Sequence, residues 1–152
     1  MKKEVYVPLV KLKMVKEKEL PYSGERLNSP DKVSEFAMQI LEGLDRECLL
    51  VISVNTKCNP MAVEVVSIGS VDSSYAVPRE IFKHAVLCNA SGILLVHNHP
   101  SGDCEPSKAD LDTTERVRKA GEILGVDVFD HVIVGEEKDT YYSLRENDHF
   151  AA

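Results

Sequence analysis

The chain has no excess of basic residues, no membrane-length apolar run, no closely paired cysteines and no internal repeat. Its 18 Lys and Arg face 25 Asp and Glu, for a formal net charge of −7. Phosphate binding draws on clustered Lys and Arg, so a broad nucleic-acid footprint is disfavoured, with local patches left open. No stretch approaches the roughly 20 apolar residues of a spanning helix, and the first residues do not resemble a secretory signal. Cys48, Cys58, Cys88 and Cys104 show no CxxC spacing. A reduced, cytoplasmic setting is therefore expected. With 152 residues, 43% of them hydrophobic, the chain can fill one core and is short for two.

Taken in order, Val5 to Val15 carries strand-forming residues interrupted by Pro8, which suits an edge strand or an arm. Residues 1–28 are read as this arm and a linker, 29–147 as the folded domain, and 148–152 as a polar tail in which His149 is exposed. Ser29-Pro30 predicts a helix start, followed by Val33, Phe36, Ala37, Ile40, Leu41 and Leu44 at helical spacing. Glu47–Val54 is a short, largely apolar run, as in a strand buried on both faces, and Ala62–Gly69 follows it as a hairpin partner. Pro78 opens a second helix whose Ile81, Phe82, Ala85 and Val86 form an apolar face, with His84 toward solvent. Ile93–Val96 is a strand, Lys108–Leu124 a helix closed by Gly125, and Val126–Val134 and Tyr141–Leu144 are further strands. That order gives an α/β fold with a mixed central sheet flanked by helices.

The chemistry concentrates where Val96 gives way to His97-Asn98-His99-Pro100-Ser101-Gly102-Asp103. In an extended chain residues two apart point the same way, so His97 and His99 can face one ion. A His-x-His pair alone is a weak signal. Asp110 is the candidate third ligand: Ser107 reads as a helix N-cap, and the third residue after a cap lies in the first turn. The same two residues also make a capping box, which by itself accounts for both. Two imidazoles and a carboxylate leave the fourth position of a tetrahedral Zn²⁺ for water, as in catalytic rather than structural sites. Cys104 is either a reactive thiol or an incidental loop residue. Asp130-His131 either bond each other and the backbone or orient a ligand.

His97-x-His99, seven residues, Ser107, two residues and Asp110 resembles the JAMM (MPN+) metalloprotease motif, His-x-His-x7-Ser-x2-Asp. With His97 to Asp103, Pro106-Ser107 and Asp130 to Gly135, the chain resembles more narrowly the RadC family of bacterial JAMM proteins, from about Ser29 to about Glu146. The resemblance implies a cytidine-deaminase-like α-β-α sandwich and hydrolysis of a peptide or isopeptide bond. It also implies a Glu near the first core strand that hydrogen-bonds the metal's water. Glu47, at the mouth of Cys48–Val54, is preferred for that role over Glu64, which lies within the next strand. Ser107 would then steady the oxyanion, aided by the helix N-terminus. Arg79 matches a position typical of RadC-type sequences, where it either reaches a substrate groove or makes an ion pair. Two other classes stay open: a binding module on the same fold, and the DNA-repair association attached to the RadC name. Longer RadC proteins carry an N-terminal helix-hairpin-helix region that has no counterpart here, which puts DNA association in doubt. The letters His97-Asn98-His99 match the HNH nuclease name only in spelling, since that motif is dispersed over a ββα unit.

Overall fold

A computed structural model describes residues 3–69, 76–137 and 139–150. The first two residues of the arm and the last two of the tail lie outside them. The elements run α1 (Pro30–Leu41), β1 (Cys48–Val54), β2 (Pro60–Ile68), α2 (Pro78–Leu87), β3 (Gly92–Asn98), α3 (Lys108–Leu124), β4 (Asp127–Val134) and β5 (Tyr141–Ser143). The strands form one sheet in the order β2-β1-β3-β4-β5. β1 is antiparallel to β2 and β3, β3 is parallel to β4, and β4 is antiparallel to β5. The mixed sheet expected from the element order is the one found.

Every residue of β1 and β3 is buried, because helices cover both faces. Period-two alternation sorts their side chains. Leu50, Ile52, Leu94 and Val96 pack with Val33, Phe36 and Ala37 of α1 on one face. Leu49, Val51, Ile93 and Leu95 pack with Ile81 and Phe82 of α2 and Val117 of α3 on the other. Full burial of one such side chain contributes about 1.5–3 kcal/mol. α3 can lie this close because Gly121 has no Cβ; one there would sit 2.5 Å from the Val126 carbonyl oxygen. Gly125 then ends the helix at φ +69°, a left-handed conformation that suits glycine.

Some sequence expectations shift at element ends. Leu44 lies beyond α1 and is exposed, as are Val86 on α2 and Leu124 at the end of α3. His84 is not free in solvent but has its Nδ1 against the Glu64 carboxylate of β2. His149 is exposed, yet its Nε2 lies 3.0 Å from the Tyr142 hydroxyl. Residues 5–15 form no strand and remain an exposed arm. The chain joins the body at Leu20, which packs on the α1-side core, and at Leu27, whose N–H donates to the Cys58 carbonyl at 2.9 Å.

Candidate metal centre

β3 projects its odd-numbered side chains onto the α2/α3 face, so His97 follows Ile93 and Leu95 there. His97 is wholly buried, and His99, just past the strand, is partly open to solvent. Asp110 arrives from the first turn of α3. Its Oδ1 lies 3.3 Å from His97 Nε2, its Oδ2 3.5 Å from His99 Nε2, and the two Nε2 atoms are 3.0 Å apart. One ligand atom from each of the three residues fits within 4.8 Å of the others, a spacing that could hold a metal ion.

Both readings of the Ser107–Asp110 pair hold together. Ser107 Oγ accepts from the Asp110 N–H at 3.1 Å, and Asp110 Oδ2 accepts from the Ser107 N–H at 2.7 Å, a complete capping box. Asp110 nevertheless turns its oxygens to both imidazoles. The Ser107 hydroxyl donates to Asp110 Oδ2 at 2.7 Å. Ser107 itself is exposed at the entrance.

The hydrogen bonds dictate which ring nitrogens carry protons. His99 Nδ1 lies 2.7 Å from the Asp103 carbonyl, which can only accept, so Nδ1 carries the proton and the neutral ring has a bare Nε2. The His97 chain is longer. The Thr114 hydroxyl is 2.7 Å from the Asp110 carbonyl and must donate to it, so Thr114 can only accept from His131 Nδ1–H, 2.6 Å away. His131 is fully buried; desolvation, with the nearby His97, holds its pKa well below the ordinary histidine value and keeps it neutral. Its Nε2 then accepts from His97 Nδ1–H at 2.7 Å, leaving His97 Nε2 bare. Two nitrogen lone pairs and a carboxylate thus converge, and only something positive satisfies all three. A proton is one answer: the hydrogen bond to Asp110 raises the His99 pKa. Burial pushes the Asp110 pKa up, but hydrogen bonds with His97 and His99 outweigh it and hold the carboxyl far below the usual range. A divalent cation is the other answer, and this donor set fits it.

Thr114 and Asn98 were not legible as part of the site. Asn98 Oδ1 accepts from the Cys48 N–H at 2.8 Å and its Nδ2 donates to the Arg46 carbonyl at 3.0 Å, clamping the backbone on both sides of Glu47. The β1–β3 pairing ends at Leu49 and His97, and Glu47 lies two residues beyond it on the β1 side, as His99 does on the β3 side. His99 feels the Glu47 charge, which adds to the rise of its pKa. Glu64 lies one strand further out, opposite Val51, engaged with His84; burial raises its pKa.

The other candidates separate. Asp130 takes no part in the ligand chain: it accepts from Ser143 Oγ at 2.6 Å and from the His131 and Arg145 N–H groups, tying β4 to the C-terminal segment. The Cys104 thiol is pushed up, by burial and then by Asp103 and Glu105, which keeps it protonated and a poor nucleophile. Arg79 is exposed, with its Nε 3.7 Å from Glu80 Oε1.

The relay carries a first prediction. Thr114→Val leaves His131 Nδ1–H without its acceptor and releases the His97 tautomer, so affinity for a divalent cation should fall about 10–100-fold in chelator competition. Thr114→Ser, which keeps the hydroxyl, should restore it.

The RadC-like JAB domain family model matches residues 27–149. A UPF0758 protein of Desulfitobacterium hafniense is 44% identical over 120 residues, covering 79% of this chain and 52% of its own. A UPF0758 protein of Thermotoga maritima is 44% identical over 129 residues, covering 85% and 57%. The chain spans about half the length of these curated relatives. With the match running from Leu27 through the ligand trio and the Thr114–His131 relay to His149, the chain belongs to the RadC-like JAB domain family.

Proposed function

We propose that the chain is a zinc-dependent hydrolase of amide bonds, a peptidase or isopeptidase of the JAMM type. The observation that carries this is the convergence of His97 Nε2, His99 Nε2 and the Asp110 carboxylate at a partly solvent-open entrance, close enough to Glu47 that His99 feels its charge. Zinc held by His97, His99 and Asp110 would supply Lewis acidity at this entrance. Glu47 takes the proton of the attacking water and delivers it to the leaving amine. Asn98 holds the Glu47 backbone in place for both transfers. Ser107 is the hydroxyl at the entrance, and it turns its O–H from Asp110 Oδ2 to the oxyanion, supported by the positive end of α3.

Incubating the zinc-loaded chain with peptide and isopeptide libraries, and in parallel with single-stranded and duplex DNA, tests the reaction class. Amide cleavage with no DNA scission is expected, in keeping with the acidic net charge of −7. DNA scission without amide cleavage would move the chain to the DNA-repair class, and zinc binding with neither reaction would make it a binding module.

A further inference from the structure

Half of the exposed large hydrophobic side chains of the described residues fall between Val5 and Val15, with Leu9 fully exposed and Leu12 79% exposed. Scattered exposed apolar residues are ordinary; eight within eleven positions are not. Three more, Met61, Val65 and Ile68, lie on β2. Among the described residues β2 is an end strand of the sheet, so one of its sides pairs with no other strand. Among the described residues α1 packs mainly over β3, β4 and β5, and Met61 and Val65 of β2 stay exposed.

The two surfaces match in pattern. Along an extended arm, Val10, Leu12 and Met14 fall on one face and Lys11 and Lys13 on the other. On β2, irregularities in pairing flank a regular run from Ala62 to Val65. Val63 in that run packs on the α1-side core, Val65 shares its face by alternation, and Glu64 points to His84 of α2. A strand added there would extend the apolar face with Val10, Leu12 and Met14 and set its lysines on the Glu64 side. Charge agrees: residues 1–19 hold six lysines against three glutamates, while the remaining 12 basic and 22 acidic residues give the body a formal charge of −10. The arm does not use its own edge, since it leaves the body at Leu20 and every residue from 5 to 15 is exposed.

We propose that residues 9–15 add as a strand to the free edge of β2 in a second copy of this chain, each copy donating its arm to the other. Reciprocal donation covers both arms and both edges and closes as a two-fold dimer. Sedimentation velocity of the full chain over a concentration series tests this, with Leu12→Asp and Val65→Lys beside it. Both positions are exposed, so neither change disturbs the core. A dimer is expected whose dissociation constant rises about tenfold or more in each variant, since each sets a charge into an apolar strand contact. A chain that stays monomeric throughout overturns the proposal. So does a dimer indifferent to Val65→Lys, which would mean that the arms pair with each other, or one indifferent to Leu12→Asp.

Discussion

The His97→Ala chain is expected to retain no zinc through gel filtration under conditions in which the unaltered chain holds one ion. His97 is buried, and its Nε2 is the ligand atom most tightly constrained, through His131 and Thr114. Truncation removes that donor and leaves His131 Nε2 facing a void. Two ligands remain, too few for a zinc site of this type. Because such a change can also loosen the core, His97→Gln, which keeps most of the volume, should lose the ion as well while the domain stays folded. In the unaltered chain zinc at a hundredfold excess over its dissociation constant should raise stability by about 2.7 kcal/mol, an increment both variants lack.

The same ion should be lost on acidification. Asp110 raises the His99 pKa, and zinc needs His99 Nε2 unprotonated. Below that raised value one proton competes for the site, so affinity should fall about tenfold per pH unit. In the metal-free chain the signs are complementary. His99, raised in the folded state, contributes stability that is full below its unfolded pKa and lost as pH rises through the folded one. Asp110, depressed in the folded state, contributes stability present above its unfolded pKa and lost as pH falls. The pair therefore supports the metal-free fold best from above the ordinary Asp value to below the ordinary His value. The zinc-dependent rise in melting temperature should accordingly grow with pH through the His99 range.

Much of this centre was legible because it obeys local rules. Period-two alternation puts His97 and His99 on one face of β3, and a serine cap puts Asp110 three residues inside α3. Apolar spacing and turn residues likewise located the three helices and five strands of the described residues, while the strand-like residues 5–15 form none. The orientation of His131 was not legible. On β4 two residues, Val128 and Asp130, pair with consecutive Ile93 and Leu94 of β3, so one residue is extra between them. That bulge shifts the alternation and turns His131 onto the His97 face, opposite Leu95. Thr114 was hidden for a different reason: a threonine one turn into a helix ordinarily bonds only the carbonyl four residues back. Nothing in the local sequence announces the histidine on its other side. Asn98 was masked by its neighbours, since the pattern that singles out His97 and His99 skips the residue between them. Its clamp joins positions about fifty residues apart, and only strand register reveals it.

Glu47→Gln should lower amide hydrolysis by about 10²–10⁴-fold while zinc stays bound, and Glu64→Gln should leave the rate within a few-fold of the unaltered chain. In the proposed reaction Glu47 is the base; Glu47→Gln preserves size and hydrogen bonding but cannot take a proton, and loss of a positioned general base costs a rate factor of that order. That corresponds to about 2.7–5.5 kcal/mol of barrier. Zinc should survive because Glu47 is not among the three residues whose ligand atoms converge. Glu64 is a control of the same residue type in the same sheet, but it faces His84 one strand further from the ligands. Its removal breaks a partly buried contact with His84, so a lowered melting temperature with an intact rate is the expected signature. Asn98→Ala adds a finer comparison, since it leaves Glu47 chemically whole and frees only the backbone at Arg46 and Cys48; kcat should drop while zinc affinity holds. A Glu64→Gln chain that is inactive beside an active Glu47→Gln chain would transfer the base to β2 and require the substrate to reach across β1.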